Sequence, residues 1–374
     1  MRCTRCLYDD TIPGITFNAA GICSYCLMIW EMEGQYPTGA EGKRILEELA
    51  TTIRKARRGK YDCIVGISGG CDSTYLLYIT KVKMGLEPLA VHYDNGWNTT
   101  TAEENMTNAC DTLAIDFYRY RVYNEEVRSL ARAFLLSGAL DFEAPTDIGL
   151  TTTLYRAAET HGVKYIFNGH SFRTEGVAPL GWSYMDGRYI ADVHEQYGDG
   201  VPLRTYPNLW LKDFLRWSIA GIKRIRPLYW VDYNKAEVKA MLERKLAWTW
   251  YKGHHLESQI TDFFSSYLLP RRTGVDMRVL GWSGLIRSGQ MDRADALERL
   301  AVPPTIDAGV RAAIRTRFDV SLRDAANRPI KTYKDFDNYK RTFERLRPLF
   351  WALMKADRIP LSFYKKYCLP AVTR

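Results

Sequence analysis

Apolar positions change their rhythm along the chain. Residues 41–58 carry Ile45, Leu46, Leu49 and Ile53 at helical spacing, which predicts an amphipathic helix with one buried face. Beyond Gly59, short apolar runs alternate with helical stretches. Strands are predicted at 61–67, 87–93, 116–122 and 163–167, and helices at 73–84, 100–114, 124–137 and 148–161. This alternation predicts an α/β fold with a doubly wound parallel sheet, whose ligands bind beyond the carboxyl ends of the strands. Residues 171–230 hold many Gly, Trp and Tyr with little periodicity, and read as a long insertion lining a site. Asn234 then caps a helix from Lys235 to Leu246, and the remainder is helical in character, with an apolar-periodic stretch around 339–354.

Composition narrows the class. At 374 residues, 46% hydrophobic and 25% charged, the chain is an ordinary folded protein with room for two or three domains. No apolar stretch reaches the length of a membrane span and the N-terminus opens no signal peptide, so a cytoplasmic location with no membrane partner is expected. The net charge of +9 implies an anionic partner without choosing among nucleic acid, a nucleotide sugar and ATP. Its densest basic run, Arg54-Lys55-Ala56-Arg57-Arg58, reads as the solvated end of a helix.

Four of the eight cysteines fall in the first 26 residues, as the pairs Cys3/Cys6 and Cys23/Cys26. Two CxxC pairs separated by sixteen residues match a structural four-thiolate zinc site, and the closed shell excludes a catalytic role for that metal. Cys63 and Cys110 read as small buried hydrophobes, and Cys71 lies on a glycine turn.

That turn carries the chemistry. Cys63 to Ile67 is an apolar run, followed by Ser68-Gly69-Gly70-Cys71-Asp72-Ser73-Thr74 and a helical pattern. Strand, glycine turn and helix N-terminus together make a seat for phosphate, with Ser68 and Ser73 as added donors. Asp72 would repel phosphate unless a divalent cation bridged them, which implies Mg²⁺ on Asp72. The run lacks the Lys of a Walker A loop and the third glycine of a dinucleotide fingerprint.

Ser-Gly-Gly-x-Asp-Ser resembles the PP-loop of the ATP pyrophosphatases, the adenine nucleotide alpha hydrolase-like fold. The resemblance implies that ATP binds through Ser68, Gly69, Gly70, Asp72, Ser73 and Thr74 and is cleaved between its α- and β-phosphates. It also implies that the second strand meets adenine through the backbone at Tyr93 or Asp94, and that Gly169 and His170 form a turn near the ATP. Further along, Trp250-Tyr251-Lys252-Gly253-His254-His255-Leu256-Glu257-Ser258 crowds a lysine, two histidines and a glutamate beside aromatic rings. Lys252, His255 and Glu257 are candidates there for proton transfer, metal binding or sugar recognition.

The cysteine pairs, the PP-loop, the His-Leu-Glu-Ser segment, Tyr267-Leu-Leu-Pro270 and Ser288-Gly-Gln-Met-Asp-Arg293 together resemble the bacterial N-acetyl sugar amidotransferases of the WbpG type, relatives of the pseudaminic-acid amidotransferase. The likeness runs from residue 1 to about 300, and nothing beyond looks specific to the family. It implies a chain of four parts: a zinc knuckle (1–40), a linker helix (41–59), a PP-loop domain with its insertion (60–233) and a mostly helical region for substrate or partner (234–374). The implied reaction converts the acetamido group of a nucleotide-activated sugar, a UDP-linked acetamido uronic acid by preference, into an acetamidino group, in lipopolysaccharide, O-antigen or other surface-glycan synthesis. ATP, Mg²⁺ and structural Zn²⁺ are the implied cofactors. Lys252, Arg271 and Arg272 are candidates to meet the sugar's anionic groups.

The chain shows no glutaminase signature: residue 2 is Arg2, and Gly69-Gly70-Cys71-Asp72-Ser73 lacks the closing glycine of a nucleophile elbow. The resemblance therefore implies a separate glutaminase and an ammonia-channelling, synthase-like subunit as partners. The rival reading is a tRNA thiolase, since several of those combine a PP-loop with zinc knuckles and a basic surface. Thiolases usually carry cysteines in the PP-loop domain to move sulfur or hold an iron–sulfur cluster. No second CxxC occurs in that domain here, which disfavours nucleic acid as the partner. A third reading, a non-enzymatic adaptor with a decayed loop, sits poorly with the intact Asp72 and paired serines.

Overall fold

The computed structural model describes residues 1–12, 14–178, 186–251, 253, 256–336 and 340–369. Five parallel strands form one sheet: β1 (Cys63–Gly66), β2 (Pro88–Asp94), β3 (Phe117–Arg121), β4 (Tyr165–Phe167) and β5 (Lys223–Ile225). Their spatial order is β3-β2-β1-β4-β5. The chain builds outward from β1 to β3, then crosses back to place β4 on the other side of β1. The switch point therefore lies between β1 and β4, and the loops after those two strands flank the crevice where such sheets bind ligands.

Residue alternation explains why both faces are covered. On one side Cys63, Val65 and Ile67 pack with Leu46, Ala50 and Ile53 of the helix Gly39–Ala56, with Leu76 and Leu77 behind the glycine turn, and with Leu242 of the helix Lys235–Leu246. On the other, Ile64, Leu89, Val91 and Ile166 pack against Leu154, Ala157 and Ala158 of the helix Ala144–Thr160. Each such aliphatic side chain, fully buried, contributes about 1.5–3 kcal/mol, and the central strand is buried on both faces. This is the doubly wound α/β sheet that the alternation predicts.

The insertion is more ordered than its sequence suggests. It holds helices Gly187–Tyr197 and Leu211–Ile219 and supplies the fifth strand. Lys223-Arg224-Ile225 offers one apolar side chain, too short a run to show strand alternation, and it is recruited by pairing with β4. Tyr189, Ile190 and Val193 of the first helix join a large core that includes Phe134, Phe263, Phe318 and Phe350. The elements described after residue 234 are all helical, and their core is continuous with that of the sheet domain's flank. None of the described helices is long and apolar enough to cross a membrane.

Candidate functional site

The glycine turn ties down two of its own amides, Ser68 N–H on Ser73 Oγ and Gly70 N–H on Ser68 Oγ, both at 3.3 Å. Gly69 sits at φ +80°, and a Cβ there would lie 2.2 Å from the carbonyl oxygen of Ala102. The Gly69 carbonyl accepts from the Trp248 indole at 2.9 Å and from the Asn105 amide at 3.2 Å, which locks the peptide in place. The following helix, Cys71–Tyr78, starts at Gly70 with no side-chain cap, so its first-turn N–H groups remain available to an anion. Ser68 Oγ and Ser73 Oγ face each other at 3.2 Å across the turn. Gly169, after β4, closes on the same place: a Cβ there would be 2.9 Å from Ser73 Cα. Gly69→Ala should abolish nucleotide binding and cost at least about 1–2 kcal/mol from left-handed backbone alone; ATP titration and a urea melt check both.

Asp72 differs from expectation. Its side chain is 10% exposed, and both oxygens are engaged: Oδ1 accepts from the Tyr233 hydroxyl at 2.5 Å and Oδ2 from Lys235 Nζ at 2.7 Å. Burial pushes the Asp72 carboxyl up, but the Lys235 charge and the hydrogen bonds from Lys235 and Tyr233 outweigh it and hold it below its ordinary value. A magnesium ion seated on Asp72 does not fit this arrangement, because the ammonium of Lys235 already lies where a cation would sit. Neither Lys235 nor Tyr233 stood out as a site residue in the sequence. They reach the loop across 163 and 161 residues of chain, and no local pattern marks them.

The aromatic, acidic segment does reach the loop. The Ser68 hydroxyl donates to Glu257 Oε1 at 3.2 Å, and a Cβ on Gly70 would lie 2.9 Å from the same oxygen. Backbone bonds from Thr99 to the Glu257 carbonyl and from Gln259 to the Trp97 carbonyl fasten the segment over the carboxyl end of β2. Lys252 and His255, named with Glu257 as candidates, lie outside the described residues, as does His254.

Other candidates have supporting roles. Thr74 is buried and its amide is tied to the Gly70 carbonyl, so the seat ends at Ser73. Tyr93 is buried against Gly149, and Asp94 accepts from the Gly96 amide at 2.8 Å and pairs with Arg121 at 3.3 Å, which leaves only their backbone to a ligand. His170 Nε2 donates to the Gly176 carbonyl at 3.2 Å while Nδ1 accepts from the Tyr229 hydroxyl at 3.1 Å. Arg272 is spent on the carbonyls of Leu135, Ala139 and Ala325, and burial lowers its pKa to about 10, so it is not placed to meet a sugar. Cys71 is no thiolate: burial pushes its pKa up to about 12.

The knuckle cysteines form the one grouping of metal-ligating side chains among the described residues. Their sulfurs lie within 4.8 Å of one another, with Cys3 to Cys26 at 3.9 Å and Cys6 to Cys23 at 3.8 Å. Those edges suit a tetrahedron with metal–sulfur bonds of about 2.3 Å. The amides of Arg5, Tyr8, Cys23 and Cys26 point at the sulfurs from 3.3–3.4 Å. The cluster fits a zinc knuckle.

Residues 257–356 match the family model for the C-terminal domain of WbpG-like LPS biosynthesis proteins. Over those residues the chain is similar to the WbpG type. The match carries family character well past residue 300, where the sequence offered none. The chain is also 29% identical over 172 residues to an uncharacterized protein of Methanocaldococcus jannaschii, covering 46% of this chain and 59% of that one. A tRNA(Ile)-lysidine synthase of Chlamydia pneumoniae is 35% identical over 65 residues, covering 17% and 20%. The matches thus span less than two thirds of either relative. Among solved structures, the NH3-dependent NAD synthetase of Campylobacter jejuni has a TM-score of 0.34 at 11% identity, over 78% of this chain and 97% of that one. The U34-tRNA thiolase of Methanococcus maripaludis has a TM-score of 0.31 at 14% identity, over 88% and 90%. The matched WbpG-like region begins at Glu257, the carboxylate that meets the glycine turn at Ser68.

Proposed function

We propose that the protein is an ATP-dependent amidotransferase acting on the acetamido group of a nucleotide-activated sugar, in the synthesis of lipopolysaccharide or another surface glycan. The observation that carries the reading is the meeting of the phosphate loop with Glu257, the first residue of the WbpG-like domain. One side supplies nucleotide chemistry and the other belongs to a sugar-polymer family.

The chemistry needs both. An amide oxygen is a poor leaving group. Attack by that oxygen on the α-phosphorus expels pyrophosphate and leaves an O-adenylated imidate. Ammonia adds to the imidate carbon, one of its protons is taken up by a base, and AMP departs with the former amide oxygen to leave an acetamidino group. The loop amides and the Ser68 and Ser73 hydroxyls hold the departing pyrophosphate. Lys235 neutralises Asp72, so the buried carboxylate does not repel it. Magnesium arrives as part of MgATP rather than on Asp72. Glu257 is the described carboxylate in position to take the proton. Zinc in the knuckle has a structural role only. Cys71, buried and protonated, offers no glutaminase nucleophile, which supports a separate glutaminase as the ammonia source, with delivery through an ammonia-channelling partner.

The thiolase alternative draws no support from the cysteines, since Cys63, Cys71 and Cys110 are all buried and each thiol is pushed up by burial. The test is product analysis with MgATP, ammonium and a panel of UDP- and CMP-linked N-acetylated sugars. AMP, pyrophosphate and a sugar lighter by the difference between O and NH are expected. Release of ADP, or of AMP only with tRNA and a sulfur donor, would contradict the proposal.

A further inference from the structure

Arg287 presents a problem that the fold alone does not solve. Its guanidinium is buried, with no hydrogen bond of good geometry at Nε, Nη1 or Nη2, and the groups it faces are the Cys6 thiol and the Tyr8 hydroxyl. A charged group left unmatched in this way is costly, and such orphans call for an explanation. The residue ends the helix Arg278–Arg287, inside the WbpG-like domain, yet it points into the N-terminal knuckle. The guanidinium lies 5.1 Å from the ring of Tyr8, and the opposite charges that act on it most strongly belong to Cys6 and Cys26, with Tyr8 between them.

Its neighbours hold the same two parts together. The Leu7 amide donates to Ser283 Oγ at 3.1 Å, and Arg293 donates to the carbonyls of Cys6 and Cys3 at 3.1 and 2.8 Å. From the same segment, Gln290 accepts from the Lys235 amide at 2.8 Å and donates to the Tyr233 carbonyl at 3.0 Å. Residues 283–293 thus bridge the knuckle to the backbone of Tyr233 and Lys235, the two residues that hold Asp72.

Four thiolates around one divalent ion carry a surplus of negative charge that the ion does not cancel. We propose that Arg287 is the counter-ion of this metal tetrathiolate, so that metal retention in the knuckle depends on a residue of the WbpG-like domain and metal loss frees the segment that braces the phosphate loop. Arg287 does not ligate the metal; it is a positioning residue that lowers the charge of the filled site. With metal bound, the buried guanidinium is matched by the charge of the thiolates it faces. The amides that already point at the sulfurs do part of the same work.

The experiment loads the full chain with zinc and follows transfer of the metal to a chromophoric chelator, in the wild type, Arg287→Met and Arg287→Lys. Arg287→Met removes the charge while filling much of the space, and Arg287→Lys keeps the charge with a different shape. The proposal expects Arg287→Met to lose zinc about 10–100-fold more readily, with Arg287→Lys close to wild type. Amide exchange at Lys235, whose N–H is held by Gln290, should rise in Arg287→Met and in zinc-stripped wild type. Two results would overturn the idea: wild-type zinc retention in Arg287→Met, or equal loss in both variants, which would make the residue a packing element.

Discussion

Lys235→Met is expected to destabilise the protein by about 3–5 kcal/mol, as removal of one partner from a buried ion pair leaves the other charge uncompensated. Lys235 and Asp72 are 11% and 10% exposed in their side chains, so little solvent screens the loss. In the wild type the Asp72 carboxyl is held below its ordinary value of 3.8. Its contribution to stability is therefore complete above that value and is lost as pH falls through the depressed folded-state pKa. In Lys235→Met burial acts without the ammonium to oppose it, so the carboxyl rises and the dependence inverts: the variant regains stability as pH falls through the raised folded-state pKa. The double variant Lys235→Met/Asp72→Asn removes both charges and should recover part of the loss. Urea melts at several pH values read all three effects. A loss under about 1 kcal/mol in Lys235→Met at neutral pH would show that the pair does not hold the loop.

Glu257→Gln should lower AMP-forming turnover by about 100-fold or more, the range for loss of a general base, while leaving the melt close to wild type. Glutamine keeps an acceptor for the Ser68 hydroxyl, so the local geometry is preserved and only charge and basicity go. The reaction needs a proton removed after ammonia adds to the imidate, and the pyrophosphate exchange that precedes ammonia addition should be less affected. Steady-state kinetics beside ATP–pyrophosphate exchange would separate the two. Equal losses in both assays would move Glu257 from proton transfer to ATP binding.

How much of this was legible in the sequence depends on distance along the chain. The four sheet strands read from the pattern are there: β1, β2 and β4 bury local apolar runs, β3 is a half-exposed edge strand, and β5 escaped because its three residues carry a single apolar side chain. The knuckle was legible because CxxC spacing is local chemistry: two sulfurs per turn, with backbone amides aimed at them. The phosphate loop was legible for the same reason. At Asp72 the sequence shows a carboxylate at a phosphate seat but not the lysine that neutralises it from 163 residues away. Arg272 looked like an anion receptor and is instead consumed by carbonyls on three segments of the helical core. Glu257 stands out in the sequence because its cluster is unusual in composition, although nothing in its spacing shows that it meets Ser68.

The claim at the centre of this account is that the acetamido oxygen leaves as part of AMP. The direct measurement is the reaction of an N-acetylated nucleotide sugar labelled with ¹⁸O in its acetyl carbonyl, with MgATP and ammonium, followed by mass analysis of the nucleotide product. AMP carrying the heavy oxygen is the predicted result. Unlabelled AMP, formed while the sugar keeps its ¹⁸O, would contradict O-adenylation of the amide.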